Sequence, residues 1–174
     1  PHFEGREQIH GIPKGFMPLG LFSRIVEGLV EDDLRFDHLI LQWLGDPSLH
    51  PELEEMVAIA MARLAERVGY LRIDTNAITL NPARMDRLVE AYSRSPQMPL
   101  LVVFTLDAVS PETYAHVKGR DALDQVERNI GHLLAARAAL PSDDVRLNFQ
   151  FQFVLQSGNS QEAGAFIQHW QKRL

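Results

Sequence analysis

Leu39 to Met56 read LILQWLGDPSLHPELEEM, and this stretch decides the architecture. An apolar run that begins near Phe36 ends on Gly-Asp-Pro. His-Pro-Glu-Leu then opens a helical pattern, with Leu53, Met56, Val57, Ala60 and Leu64 on one face. A buried strand, a tight turn and an amphipathic helix in that order make the β/α unit of a parallel sheet rather than the strand of a sandwich.

The same scheme recurs on both sides. Upstream, Leu21, Ile25, Val26, Leu29 and Val30 fall at helical spacing from Met17 or Pro18, and Pro18 suits a first turn. Downstream, Gly69 reads as a helix C-cap and Tyr70 to Asp74 as a short strand with Thr75-Asn76-Ala77 as its exit. Asn81-Pro82 starts another helix, and Leu100 to Leu106 is the plainest strand in the chain. Ser110-Pro111-Glu112 is an N-cap with proline at the first helical position, and Gly119 marks a break before a helix that reaches about Leu140. Val145 to Leu155 is the last strand, and a helix follows from Ser160. The first three strands start roughly thirty residues apart, the length that a β/α unit needs in a parallel barrel.

The expected fold is therefore α/β, a partial parallel (β/α)6 TIM-like barrel. It opens on a helix whose preceding strand is not in these residues. All of 1–174 form one domain, with 1–16 a loop carrying three glycines and 17–174 the successive units. In Asn148-Phe149-Gln150-Phe151-Gln152-Phe153, amides and aromatics alternate with period two. The phenylalanines belong against helices and the amides face the lumen. Either a polar ligand satisfies those amides or neighbouring strands do, through Arg72 and Asp74.

Composition bounds the function. A net charge of -6 with no cluster of Lys and Arg argues against nucleic acid. No apolar run approaches a membrane span and no leader pattern opens the chain, which makes a cytoplasmic protein the default. There are no cysteines, hence no disulfide and no thiolate metal or iron–sulfur ligand among these residues. The seven histidines are scattered with no metal-ligand spacing, so no metal ligand is assigned.

In parallel α/β folds ligands gather at the carboxyl ends of strands. Those ends read LGDP, TNA, TLDA and QSGN. Taken singly each is an ordinary turn. Taken in order, they resemble the radical S-adenosylmethionine enzymes. LGDPSLHPEL is similar to that family's Gly-Gly-Glu-Pro stretch, DTNA to its Thr-Asn-Gly, and FTLDAVSPETYAHVKGRDALDQVERNI to its fourth unit, with Asn-Ile in the helix. The resemblance covers about Pro18 to Trp170.

It implies that S-adenosylmethionine is met by Gly45, Asp46 and Pro47 at its methionyl amino group. Thr75 and Thr105 would offer hydroxyls to the carboxylate or ribose, Lys118 would pair with the carboxylate and Gln152 would lie near the adenosyl group, with Asn76 and Asp107 also in the cofactor-binding set. It further implies a [4Fe–4S] cluster on a Cys-x3-Cys-x2-Cys segment upstream of Pro1. Its chemistry would be a 5′-deoxyadenosyl radical abstracting hydrogen from a small-molecule or peptide substrate. The electron donor would be a flavodoxin or ferredoxin, and the setting peptide modification or cofactor biosynthesis, with a cysteine-rich domain often following. No catalytic residue is assigned.

This sequence departs from the family pattern at Leu44, at Asp46 for glutamate, and at Ala77 for glycine, the last suggesting a loop not forced to positive φ. With no cysteine, the alternative is a cluster-less barrel serving as a binding or scaffold module. An unrelated aldolase-type barrel needs a lysine or carboxylate pair at strand ends, and only Asp46, Asp74 and Asp107 are near them. Glu52, Glu54 and Glu55 read as first-turn carboxylates favoured by the helix dipole. Arg63, Arg67, Arg128 and Arg137 read as solvated helix faces, and Trp170 with Phe166 and Ile167 as core. Gly5 to Gly15 is a surface connection or a lid.

Overall fold

The apolar runs become strands that lie side by side in the order in which the chain makes them. The computed structural model describes residues 8–9, 12–13, 15–42, 45–141 and 146–173. Two short antiparallel strands, β1 (Gln8–Ile9) and β2 (Ile12–Pro13), precede α1 (Leu19–Glu31) and β3 (Phe36–Ile40). A 3-10 turn (Pro47–Leu49) leads into α2 (Leu53–Leu64). Then come β4 (Val68–Thr75), α3 (Pro82–Arg94), β5 (Leu100–Thr105), α4 (Pro111–Lys118) and α5 (Leu123–Ala138). β6 (Leu147–Gln152) and α6 (Ala163–Gln171) end the described chain. Strands β3 to β6 form one four-stranded parallel sheet in sequential order. Sheet and helices have the arrangement of part of a TIM-like barrel. Among the described residues the sheet is open, with one edge of β3 and one of β6 unpaired.

Because side chains alternate along each strand, the two faces separate cleanly. Leu71, Ile73, Leu100, Val102, Phe104 and Leu147 are fully buried under the helices. The β6 phenylalanines take that face as expected, Phe151 stacking on Trp170 at 4.2 Å and Phe153 lying 5.0 Å from Phe166. The other face carries Arg72, Asp74 and Thr105 with the exposed amides Asn148, Gln150 and Gln152. Arg72 and Asp74 do not serve those amides. The guanidinium is bidentate to the carboxylate two residues on, at 2.6 and 2.7 Å, which raises the arginine pKa further.

Local signals hold where they were specific. Ser110 accepts from Thr113 N at 3.3 Å with Pro111 beginning α4, and Gly119, at φ 70°, ends it in the left-handed conformation. Asn81 caps α3 in the same way, accepting from Arg84 N at 3.1 Å.

Several expectations are corrected. The segment before Phe16 is not wholly loop, since it contains the β1–β2 pair. The lid expected over Gly5 to Gly15 otherwise lies outside the described residues, as does Leu44. Pro18 precedes α1 as its cap rather than entering the helix. Ile167 is exposed although Phe166 and Trp170 are buried.

Gly69 is not a helix cap. It lies inside β4, and a Cβ there would stand 2.5 Å from the Asp37 carbonyl oxygen of β3. Close approach of two backbones, not a left-handed turn, requires glycine at this position.

That contact sets a first expectation. Gly69→Ala forces β3 away from β4 and should lower unfolding stability by about 1–3 kcal/mol. Urea denaturation would show the midpoint falling with little change in slope, whereas an unchanged midpoint would mean that the strands separate without cost.

Candidate functional site

All four parallel strands end at one edge of the sheet, so the loops after β3, β4, β5 and β6 are neighbours. The loop after β3 makes its turn at Gly45, whose φ of 90° suits glycine, and among the described residues, chain neighbours aside, no atom lies within 4 Å of where a Cβ would be. The Gly45 carbonyl accepts from Gln42 Nε2 at 3.3 Å. Asp46 and Pro47 then begin the 3-10 turn, which proline's fixed φ favours.

The Asp46 carboxylate points into the protein. Its Oδ1 accepts from Ser48 N at 2.9 Å, Ser48 Oγ at 2.6 Å and Thr75 Oγ1 at 2.8 Å. Its Oδ2 accepts from Asn76 N at 2.8 Å. One side chain thus stitches the turn after β3 to the exit of β4. Thr75 Oγ1 in turn accepts from Ala77 N at 3.0 Å, and Asn76 Oδ1 accepts from Ile78 N at 2.9 Å.

Ala77 corrects a reading of its side chain. Its φ is 61°, so the loop does adopt the left-handed conformation that glycine would take freely. The Thr75 hydroxyl holds its N–H, and Asn129 Nδ2, from α5, donates to its carbonyl at 2.8 Å. Contacts from both sides sustain the strain.

The loops after β5 and β6 are joined by a second set of bonds. Asp107, at φ 65°, accepts from Lys118 Nζ at 2.6 Å and from Val154 N at 2.6 Å. Asn159, fully buried, donates to the carbonyls of Asp107 and Val154 at 2.9 and 3.0 Å and accepts from Gln156 N at 2.7 Å. Glu162 reaches the N-terminus of α4, accepting from Val109 N at 2.7 Å, Ser110 Oγ at 2.5 Å and Thr113 Oγ1 at 2.7 Å. Burial would raise this carboxyl, but bonds from Ser110, Thr113 and two backbone N–H groups prevail and hold its pKa below the usual glutamate value.

Tyr114 of α4 is fully buried, with no hydrogen-bond partner on its hydroxyl among the described residues. Burial first, then the charges of Asp107 and Asp46, push its pKa up to about 12. It stays a neutral phenol.

The nine candidate residues therefore divide by position. Asp46, Thr75, Asp107 and Lys118 have their polar atoms committed to one another's loops. Gly45 presents backbone, Pro47 stiffens its turn, and Asn76 has an amide nitrogen without a protein partner among the described residues. Thr105 Oγ1 and the exposed Gln152 stand together, with Oγ1 at 3.5 Å from Oε1. A cavity of about 550 Å³ runs beside Gly45 and Asp46, walled by Phe16, Met17, Ile40 and Leu49.

For an iron–sulfur cluster the donor set does not fit, because the chain holds no cysteine. Among the described residues no three metal-ligating side chains cluster either. For a ligand rich in hydrogen-bonding groups the edge does fit, through the open Gly45 backbone and the exposed polar ends of β5 and β6. Among the described residues no helix is long and apolar enough to cross a membrane.

Sequence reasoning missed Glu54, Ser48, Thr79, Arg84, Asn129, Asn159 and Glu162. Glu54 is a first-turn carboxylate of α2 as expected, and it is in addition nearly buried and paired with Arg84 at 2.7 Å. Arg137 donates to the Leu147 carbonyl at 2.9 Å and Arg67 is half-buried beside Asp33, so neither lies on a freely solvated face. Asn129 had a legible signal, being an amide on the apolar face of α5 with Val126, Ile130 and Leu133.

No family model matches the chain. It is similar to the GTP 3′,8-cyclase of Chlorobaculum tepidum, 32% identical over 124 residues, which are 71% of this chain and 33% of that protein. The chain thus spans about a third of the length of the curated relative it matches.

The Glu162 contacts predict a pH-dependent contribution. A carboxyl whose pKa is lowered by folding stabilises the protein above the unfolded glutamate value and loses that contribution as pH falls through the folded one. Glu162→Gln should cost about 1–3 kcal/mol at neutral pH. The gap between variant and parent should close below about pH 4, read by denaturation across pH. Equal stabilities at pH 7 would contradict the assignment.

Proposed function

The chain belongs to the radical S-adenosylmethionine superfamily, and from that premise we propose that its strand-end loops form an S-adenosylmethionine-binding edge of a radical enzyme. The observation that carries the reading is the Gly45 turn. It has a positive φ, an unobstructed backbone and a carboxylate turned inward to brace it against β4.

In this reading the braced turn offers backbone carbonyls to the ligand's ammonium group. Pro47 limits the turn's freedom, and Asp46 acts through the Thr75 and Asn76 loop rather than by reaching the ligand. The amide nitrogen of Asn76 and the hydroxyl of Thr105 supply donors to the carboxylate or ribose. Gln152 lies beside Thr105 for the adenosyl moiety. Asp107 and Lys118 neutralise each other, which leaves Lys118 to hold the β5 loop in place rather than to pair with the ligand.

The chemistry would need a [4Fe–4S] cluster, for which these residues supply no ligand, and S-adenosylmethionine bound with it would supply hydrogen abstraction through a 5′-deoxyadenosyl radical. The relative's name places that protein in a GTP cyclisation. For this chain we extend the class, a radical reaction in cofactor biosynthesis, with peptide modification as the other setting. A small electron-transfer protein such as flavodoxin or ferredoxin would be the reductant.

A second reading rests on the lack of cysteine in these 174 residues. It is a barrel that binds ligands at the same edge without radical chemistry.

Isothermal titration of S-adenosylmethionine into the full natural polypeptide tests the edge. Saturable binding with Kd between about 1 µM and 1 mM is expected. Gly45→Val should weaken it at least about tenfold, since a β-branched residue resists positive φ. No saturable heat with the parent protein would end both readings of this edge. Binding without cluster uptake on anaerobic reconstitution would favour the second.

A further inference from the structure

Arg84 lies at the start of α3, away from every motif that marks the strand ends, yet its guanidinium reaches the turn after β3. Nε donates to Glu54 Oε1 at 2.7 Å and Nη2 to Glu54 Oε2 at 3.3 Å, which makes a forked pair with a nearly buried carboxylate from α2. Two of the remaining N–H groups turn to backbone carbonyls. Nη2 also donates to the His50 carbonyl at 2.7 Å, and Nη1 donates to the carbonyl of Ser48. Those two carbonyls belong to the 3-10 turn and its exit, the segment that follows Gly45 and Asp46. Glu54 makes no bond to the turn. Its part is to hold the arginine fork in the one orientation that reaches both carbonyls.

Two hydroxyls also meet beside the clamp. Ser48 Oγ lies 2.6 Å from both Asp46 Oδ1 and Thr79 Oγ1, and Thr79 Oγ1 lies 2.9 Å from the Ser48 carbonyl. Two hydroxyls have two protons for these three contacts. Ser48 Oγ donates to Asp46, and Thr79 Oγ1 donates to the Ser48 carbonyl, whose second lone pair takes the Arg84 bond.

The geometry points to Arg84, oriented by Glu54, as the positioning residue that fixes the Gly45–Asp46–Pro47 turn for its ligand. This inference rests on the binding reading of that turn and deepens it. It assigns to the junction of α2 and α3 a control over affinity at the strand ends, without contact with the ligand.

Removing Arg84 alone strands a buried carboxylate and endangers folding, so the decisive variant replaces the pair, Glu54→Met with Arg84→Met, in the full polypeptide. An apolar pair of similar volume preserves packing there, while the bonds to Ser48 and His50 are lost. The thermal midpoint should stay near the parent's. Hydrogen exchange at the Ser48, Leu49, His50 and Asn76 amides should accelerate at least about tenfold, with the amides of β4 and β5 unchanged. S-adenosylmethionine should bind at least about tenfold more weakly. Arg84→Lys, which keeps the charge but loses the fork, should show the same local acceleration. Parent-like exchange at the turn in the folded double variant would overturn the proposal. If the parent itself binds no S-adenosylmethionine, the functional reading fails while the exchange measurement still decides the clamp.

Discussion

Much of this site depends on the Asp46 carboxylate, which accepts from Ser48, Thr75 and the Asn76 backbone at once. Adjacent parallel strands are joined by long crossovers, so nothing local sets the height of one exit loop against the next. A short acidic side chain with several donors converging on it does that here. Its reach also explains why aspartate serves. The donors lie inside the turn and in the next loop, within one side-chain length, so a longer carboxylate would have to fold back.

Around this anchor the remaining bonds form a set of cross-braces. Arg84 and Glu54 hold the far side of the turn from α2 and α3, and Asn129 holds the β4 exit from α5. Asp107, Lys118, Asn159 and Glu162 do the same for the exits of β5 and β6. Most of these groups are buried or half-buried and matched donor to acceptor, as polar groups removed from water must be. The loops are thereby preorganised. A ligand meeting Gly45, Asn76, Thr105 and Gln152 would find them already placed, which lowers the ordering cost of binding.

The sheet pays for that arrangement at its margins. Phe36 and Ile40 on the open face of β3 are 42% and 37% exposed, and Leu21 and Ile25 of α1 lie exposed nearby. An unpaired strand edge beside apolar side chains invites pairing. The polar open face is different in kind. Arg72 is consumed by Asp74, so the exposed amides of β6 are left facing the space that the sheet curves around.

The sequence by itself determined the order of elements from α1 to α6, the parallel sheet and the gathering of the candidate loops at one edge. Each of these follows from local periodicity: apolar runs of strand length, helical spacing between them, and proline or serine at helix starts. The alternation in β6 likewise placed its phenylalanines on the helix side. What only the tertiary structure decided is which partner each polar side chain takes. Asp46 and Lys118, expected at the ligand site, are bonded to Thr75 and Asp107. Glu54, read as a first-turn carboxylate, does lie in the first turn of α2 but is also buried against Arg84, and Ala77 holds a left-handed conformation that its side chain disfavours. The physical reason is the same throughout. Periodicity reports which face a residue occupies within its own element, whereas hydrogen-bond partners come from elements far away in sequence whose relative height is set only when the strands pair and the helices pack.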